Sequence, residues 1–145
     1  MKVLVIHGPN LNLLGSRELS VYGTATLNDV DDVIKKSAAE LGCEVEIHQT
    51  AREGEIIELL HGAIKDVGGA VLNPAAYAHT SRAIADAIRA VPFPVIEVHL
   101  SNIHAREPWR RHSVTAEAAR GIVCGLGSQS YVAALRALVE MSADD

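Results

Sequence analysis

Five short runs of mainly aliphatic and β-branched residues recur along this chain, and most are followed by a segment with helical spacing. The runs are residues 2–7, 44–49, 70–73, 95–99 and 121–124. Each has the length of a buried strand and is too short for a buried helix. Strands that alternate with helices pair in parallel, because a right-handed crossover brings each new strand back beside the sheet. The alternation therefore predicts an α/β fold with helices on both faces of a parallel sheet.

The helical segments are recognised by apolar residues three or four positions apart. They cover residues 27–41, 56–64, 84–88 and 129–141. Thr26 can cap the first of them, Gly42 ends it, and Thr80 can cap the third. The Gly68-Gly69 pair is expected to stop the second helix. This order of elements indicates a flavodoxin-like, doubly wound sheet of five parallel strands in the order 2-1-3-4-5.

Composition supports a single domain and excludes two classes of partner. The 145-residue chain is 48% hydrophobic, and a chain of this size buries about two-thirds of its surface on folding. Its net charge is −5, with four lysines, nine arginines and only five scattered aromatic residues. Nucleic acid is not expected as a partner, because binding it needs a basic patch or a stacking platform. A membrane is not expected either, because no apolar run reaches the roughly 18 residues of a membrane span.

The cysteines and two of the histidines are expected to belong to the scaffold. Cys43 and Cys124 have no metal-ligand spacing and are predicted to be small buried hydrophobic residues. This cysteine usage fits a reducing, cytoplasmic setting. His7 and His48 lie in or next to strands and are predicted to be core or strand-end residues, not ligands.

Polar side chains follow three strands of the predicted sheet, at the point where each strand ends. Asn10 follows the first strand, Asn73 ends the third and His99 ends the fourth. These ends share one edge of a doubly wound sheet, where ligands bind near the switch between strands 1 and 3. Each asparagine could instead bond only turn backbone, and His99 could be structural. Glu97 lies on the same strand face as His99, and a carboxylate favours a protonated imidazole, so His99 is a candidate general acid.

The segment after the first strand, residues 8–23, is unusually long for a connection between a strand and a helix. It reads GPNLNLLGSRELSVYG, and loops of this length often act as lids. Arg17 and Tyr22 in its second half could be a solvated cation and an apolar anchor. However, a nearby arginine favours the ionised form of a phenol, and a phenolate can act as a base. Tyr22 is therefore a candidate general base.

Two further segments, NPAAYAHTS and EVHLSNIHAREPWRRHS, place hydroxyl, amide, imidazole and guanidinium groups at adjacent strand ends. This mixture of groups suits a small oxygen-rich anion. The backbone N–H groups of Leu100 and Ser101 could hold a carboxylate of such a ligand. Arg110 could contact the hydroxyl groups or the negative charge of the ligand. Arg106, Arg110 and Arg111 could equally form an interface or a solvated patch, and their spacing does not distinguish these hypotheses.

Taken together, five segments resemble the type II 3-dehydroquinate dehydratases. They are GPNLNLLGSRELSVYG, EGEIIELLHGAI, NPAAYAHTS, PVIEVHLSNIHAREPWRRHS and GLGSQSYVAALRAL, in the order and spacing of that family. The resemblance implies a single catalytic domain over residues 1–145 that converts 3-dehydroquinate to 3-dehydroshikimate and water, a step of the shikimate pathway. It also implies a reaction without metal or cofactor, and assembly as a homododecamer built as a tetramer of trimers.

The same resemblance implies a role for each matching residue. Tyr22 would remove the proton α to the ketone, with Arg17 holding Tyr22 ionised. Asn10 would position a water that stabilises the enolate, and His99, supported by Glu97, would protonate the leaving hydroxyl. Substrate binding is implied for Asn73, His79, Arg110, the Leu100 and Ser101 amides, and Asp86, which the family uses in a neighbouring subunit's site.

The chain departs from the family pattern at a few positions. Leu19-Ser20 replaces the frequent Pro-Glu ahead of the tyrosine, a change expected to affect lid closure and not the chemistry. Ala51-Arg52 replaces a common Asn-His, and Trp109 stands where a smaller aromatic residue is usual, beside Arg110.

Other interpretations stay open on the sequence. The same reaction could serve quinate breakdown instead of biosynthesis. A metal-dependent hydrolase could use His99, His104 and His112, although their spacing matches no metal motif. A flavodoxin-like fold could also belong to a nonenzymatic sensor of a small carboxylate or a nucleotide.

Overall fold

Five strands and five α-helices make up the fold, and the computed structural model describes all 145 residues. The strands are β1 (Lys2–His7), β2 (Glu44–Gln49), β3 (Gly69–Asn73), β4 (Val95–His99) and β5 (Gly121–Cys124). The helices are α1 (Leu19–Tyr22), α2 (Leu27–Leu41), α3 (Glu53–Gly62), α4 (Arg82–Ala90) and α5 (Gln129–Ala143). Short 3-10 turns lie at Leu11–Leu13, Ala75–His79, Ile103–Ala105 and Pro108–Arg110. None of the helices combines the length and the apolar character needed to cross a membrane.

All five strands are parallel and form one sheet in the order β2-β1-β3-β4-β5, which confirms the predicted topology. His7 at the end of β1 pairs with Asn73 at the end of β3, and His99 at the end of β4 pairs with Cys124. The strands β2 and β3 lie on opposite sides of β1, so the connections diverge there. A crevice therefore opens beyond the carboxyl ends of β1 and β3.

Side chains of β1 alternate between two separate cores. Val3 and Val5 pack in the core formed with α2 and α5, whereas Leu4 and Ile6 pack in the core formed with α3 and α4. All four side chains are buried. Burial on both faces explains why β1 reads as a continuous apolar run and not as an alternating one.

Both ends of α2 agree with the sequence prediction. Thr26 Oγ1 accepts a hydrogen bond from Asp29 N at 3.2 Å, and Asp29 Oδ2 accepts one from Thr26 N at 2.9 Å. This reciprocal capping box satisfies two backbone N–H groups that otherwise lack a partner at a helix start. Gly42 ends the helix with a left-handed φ of 71°, a conformation that glycine adopts without steric cost.

The boundaries of α3 and α4 differ from the prediction. The α3 helix ends at Gly62, two residues short of Ile64. The predicted cap of α4, Thr80, is wrong, because Thr80 ends the preceding 3-10 turn. The cap is Ser81, whose Oγ accepts a hydrogen bond from Ile84 N at 3.0 Å. Two adjacent hydroxyl residues are equivalent in sequence, and only the geometry of the preceding turn selects between them.

The Gly68-Gly69 pair, expected to stop the second helix, lies at the start of β3. Gly69 is the first residue of β3 and pairs with Val3. A Cβ atom on Gly69 would lie 2.9 Å from Leu138 Cδ2. This glycine therefore allows α5 to pack closely against the sheet.

The long connection after β1 contains two short helical turns. Leu11 and Leu14 are buried in the core and anchor its first half. Its second half includes α1, where Leu19 and Val21 are exposed and Tyr22 is partly buried. The first half of this segment is therefore anchored by two buried leucines, whereas the second half contacts the core through the partly buried Tyr22.

The cysteines and two strand histidines occupy scaffold positions. Cys43 and Cys124 are unpaired and only partly buried, less than the sequence predicts. Partial burial raises the pKa of the Cys43 thiol. His7 is fully buried at the end of β1, as predicted. His48 lies on the edge strand β2, with Nε2 2.8 Å from Glu46 Oε1.

Candidate active site

A cleft lies at the carboxyl ends of β1, β3 and β4, where the topology predicts a ligand site. The structure brings nine of the eleven predicted site residues into its lining. They are Asn10, Arg17, Tyr22, Asn73, His79, His99, Leu100, Ser101 and Arg110. The two others are Glu97, which lies behind His99, and Asp86, which lies elsewhere on the chain.

Asn10 is positioned by an unusual backbone conformation. It directly precedes the 3-10 turn Leu11–Leu13 and has a left-handed φ of 71°. Asparagine is one of the few residues other than glycine that adopt this conformation readily. The sharp turn lets the chain leave β1 while the Asn10 side chain stays beside the cleft.

His99 is held by a fully buried carboxylate. His99 Nε2 lies 2.8 Å from Glu97 Oε2, and the two residues are 5% and 0% exposed. Glu97 also accepts hydrogen bonds from Ser113 Oγ at 2.6 Å and from Thr115 Oγ1. An ionised carboxylate can accept from all three donors at once. Because Nε2 is used by Glu97, Nδ1 is the nitrogen left to bond a ligand.

His79 stands beside His99 as a second imidazole. Their ring centroids are 6.4 Å apart and the rings are tilted by 23°. Burial lowers the pKa of His79, which favours the neutral form of this ring. Its Nδ1 donates to the carbonyl oxygen of His112 at 2.8 Å. Nε2 is therefore a hydrogen-bond acceptor, suited to a hydroxyl group.

The Tyr22 hydroxyl is in contact with an arginine that the sequence did not single out. Arg106 Nη1 donates to the Tyr22 oxygen at 2.7 Å, and the Arg106 side chain is only 8% exposed. The predicted neighbour, Arg17, lies beside the ring, with its guanidinium carbon 5.0 Å from the ring centroid. Arg106 follows Tyr22 by 84 positions. No local pattern could have separated Arg106 from Arg110 and Arg111.

Glu18 joins the two guanidinium groups that flank Tyr22. Its Oε2 accepts from Arg17 Nη2 at 2.7 Å and from Arg106 Nη2 at 3.3 Å. The hydrogen bond from Arg17 holds the pKa of the Glu18 carboxyl below its usual value. This ionised carboxylate fixes both cations beside one phenol.

Arg110 is fixed at the rim of the cleft. Its Nε donates to Glu107 Oε2 at 2.6 Å, and this bond lowers the pKa of the Glu107 carboxyl. Its guanidinium carbon lies 4.1 Å from the ring centroid of Trp109. The Trp109 ring is also perpendicular to the His79 ring, with an interplanar angle of 89° and ring centroids 5.2 Å apart. The large aromatic residue at position 109 therefore supports two cleft residues.

Asp86 and the remaining histidines lie outside the cleft. The Asp86 side chain is 85% exposed on α4, and its ion-pair partner is Arg89 at 3.6 Å. A role for Asp86 in a neighbouring subunit stays a prediction. His99, His104 and His112 do not come together as a metal-ligand group. His112 instead lies 3.1 Å from Glu117.

A flavodoxin-like sheet with ionisable groups at its carboxyl edge is typical of proteins that act on small molecules. The profile of the class II dehydroquinases matches residues 1–139. A 3-dehydroquinate dehydratase of Pelotomaculum thermopropionicum is 49% identical over 142 residues, 98% of this chain and 99% of that protein. One of Chelativorans sp. is 55% identical over 137 residues, 94% of each chain.

A solved structure gives the same result. The type II dehydroquinase of Butyrivibrio crossotus superposes with a TM-score of 0.93 at 41% identity, covering 95% of this chain and 97% of that one. The chain belongs to the class II dehydroquinases, a family of enzymes, which confirms the resemblance drawn from its motifs.

Proposed function

We propose that this chain converts 3-dehydroquinate to 3-dehydroshikimate and water by acid–base elimination through an enolate, without a metal or cofactor. Family membership supports the substrate and the overall reaction. One observation carries the mechanism: the cleft holds a phenol contacted by a guanidinium group and an imidazole backed by a buried carboxylate. These are the two proton-transfer groups that an elimination beside a ketone requires.

Tyr22 is the base of this mechanism. Arg106 donates to its oxygen and Arg17 lies beside its ring, so a negative charge on the phenolate would be stabilised by two cations. The phenolate takes the proton α to the ketone, and the electron pair of that C–H bond moves into the enolate. Asn10 holds a water molecule that donates a hydrogen bond to the enolate oxygen.

His99 is the acid. The protonated imidazole gives its proton to the leaving hydroxyl, which departs as water while the enolate returns to a ketone and a C=C bond forms. Glu97 stabilises the imidazolium, and its carboxylate also accepts hydrogen bonds from Ser113 and Thr115, which fix its position. After each turnover the proton on Tyr22 must be lost and His99 must regain one, so the net reaction releases only water.

The remaining cleft residues bind the substrate. The backbone N–H groups of Leu100 and Ser101 receive its carboxylate. Neutral His79 accepts from a hydroxyl group, and Arg110 contacts a hydroxyl or the charge. The net charge of this protein is negative, so its overall charge does not attract an anion. The substrate would therefore be bound by arginine and backbone N–H groups within the cleft.

The test of this proposal is the conversion of 3-dehydroquinate by purified protein treated with a chelator. We expect the ultraviolet absorbance of the conjugated enone product to rise as the substrate disappears. The result is the same whether the reaction serves biosynthesis or quinate breakdown. Tight binding without conversion would favour a sensor, and activity that depends on added metal would favour a metal-dependent enzyme. Either outcome would overturn the proposal.

Arg106→Lys is expected to lower kcat by about tenfold to a hundredfold, because it removes a charge-assisted hydrogen bond to the catalytic oxygen. Lysine keeps the charge but not the fork that reaches both Tyr22 and Glu18. The matched control is Arg111→Lys, a change at an exposed arginine of the same segment. Steady-state rates at saturating substrate measure the effect, and equal rates for the two variants would remove Arg106 from the mechanism.

Assembly and location belong to the proposal as well. We propose a cytoplasmic homododecamer, a tetramer of trimers in which Asp86 reaches a neighbouring cleft. Its exposure on α4 leaves this carboxylate accessible to another subunit. Light scattering should give a mass about twelve times the 15.5 kDa of one chain, and a monomer with full activity would contradict the assignment of Asp86.

A further inference from the structure

Four polar side chains form a connected network from α2 through the core to the cleft. They are Asp31 on α2, His7 at the end of β1, Tyr131 on α5 and Asn73 at the end of β3. His7 Nε2 lies 2.8 Å from Asp31 Oδ1, and His7 Nδ1 lies 2.9 Å from the Tyr131 oxygen. Asn73 Nδ2 lies 3.0 Å from that same oxygen. We call these four residues the Asp31 network.

The Asp31 carboxylate sets the direction of each hydrogen bond. It can only accept, so His7 Nε2 donates to it and Nδ1 is left to accept. The Tyr131 hydroxyl therefore donates to His7 Nδ1. If Nδ1 carried a proton instead, the Tyr131 hydroxyl could not donate to it. Every buried side-chain nitrogen and oxygen of this protein has a hydrogen-bond partner, so this arrangement is disfavoured.

Tyr131 stays a neutral donor within this network. It is 1% exposed, and burial raises the pKa of its hydroxyl well above the usual value. Having donated its proton to His7, the Tyr131 oxygen can only accept from Asn73 Nδ2. The Asp31 charge thus favours the orientation in which the Nδ2 end of the Asn73 amide faces Tyr131.

The other end of the Asn73 amide is fixed by the backbone. Asn73 Oδ1 accepts from the N–H of Ala75 at 3.1 Å. If the amide were rotated by half a turn, its NH₂ group would face the Ala75 N–H, which is also a donor. The Asn73 oxygen would then face the Tyr131 oxygen, with no proton between them. The amide is therefore locked, with one N–H of Nδ2 not used by Tyr131, and Asn73 lines the cleft.

We propose that the Asp31 network holds Asn73 as a hydrogen-bond donor to an oxygen atom of the bound substrate. Asp31, His7 and Tyr131 are positioning residues, because none of them lines the cleft. The inference rests on the proposed function for the identity of the substrate. The direction of donation follows from the hydrogen bonds alone.

Two variants test the network, each with a matched control. Tyr131→Phe removes the oxygen between His7 and Asn73, and its control is Tyr77→Phe, which loses only a bond to Ala51 O. We expect kcat/KM for 3-dehydroquinate to fall about tenfold, mainly through KM, because a misdirected neutral hydrogen bond has an effect of this size. The Tyr77→Phe control should stay within about twofold of the unaltered protein.

Asp31→Asn tests the network from its surface end, where folding is least at risk. An amide can donate as well as accept, so the direction of the bonds is no longer fixed. The control is Asp32→Asn, which makes the same charge change at an exposed position on the same helix. We expect Asp31→Asn to lower kcat/KM about threefold or more relative to this control.

A double-mutant cycle separates positioning from general support of the fold. In an Asn73→Ala background, Tyr131→Phe should lower the melting temperature without a further loss of kcat/KM. A second loss as large as the first, or unchanged kcat/KM in both Tyr131→Phe and Asp31→Asn, would overturn the network's role. No turnover by the unaltered protein would instead overturn the proposed function, and the assignment with it.

Discussion

Tyr22→Phe is expected to reduce kcat for the dehydration of 3-dehydroquinate by a factor of about 10² to 10⁴, the usual contribution of a general base. Phenylalanine keeps the ring beside Arg17 but cannot accept the α proton. The fold should be unaffected, because Tyr22 is only partly buried and its oxygen bonds to Arg106 alone. Initial rates at saturating substrate and a thermal melt measure the two effects.

Tyr77→Phe is the matched control for this experiment as well. It removes a tyrosine hydroxyl that bonds to Ala51 O, away from the cleft lining. Its kcat should stay close to that of the unaltered protein. If Tyr22→Phe retained a near-normal kcat, Tyr22 could not be the base.

His99→Ala is expected to produce a loss of similar size, because the leaving hydroxyl would have to depart without a proton. The variant also leaves the fully buried Glu97 without its imidazole partner, so the protein should melt at a lower temperature. His99→Gln can still donate to Glu97 and should recover part of this stability. Its kcat should remain low, since an amide does not supply the proton.

His104→Ala is the control for the imidazole. His104 is exposed and does not line the cleft. The loss of one surface imidazole should leave kcat unchanged. Rates for His99→Gln equal to those of the unaltered protein would show that the side chain at position 99 only orients the substrate.

The parts of the fold that depend on local pattern were predictable from the sequence. The aliphatic run of β1 and the capping box of α2 are determined by neighbouring residues, and both agree with the structure. The sequence prediction for the cap of α4 is one residue too early, because the choice between Thr80 and Ser81 depends on where the preceding turn ends. In the sequence Gly69 resembles a helix stop, because the Leu138 side chain that it contacts is distant along the chain.

The candidate site was predictable wherever topology alone brings residues together. Asn10, Asn73 and His99 follow strands that share one sheet edge, so their convergence required only the strand order. The position of Glu97 beside His99 was predictable for a similar reason, since residues two apart on a strand share a face.

Contacts made by long loops were not predictable in this way. Arg106 reaches the Tyr22 hydroxyl, and Ser113 and Thr115 reach Glu97, only because the segment after β4 folds back over the sheet edge. That segment contains several arginines and several hydroxyl residues, and the local sequence does not indicate which of them reach the site. The hydrogen bond between Asp31 and the buried His7 was not predictable from the sequence either, since an isolated histidine beside a strand indicates only a scaffold position.

Proton exchange at the α carbon of 3-dehydroquinate in D₂O, followed by NMR, tests the division of labour between base and acid most directly. If Tyr22 forms the enolate and His99 acts only afterwards, His99→Ala should still exchange this proton while its dehydration is nearly lost. Tyr22→Phe should then show neither exchange nor dehydration above the buffer rate. Exchange by Tyr22→Phe as fast as that of His99→Ala would contradict the proposed mechanism.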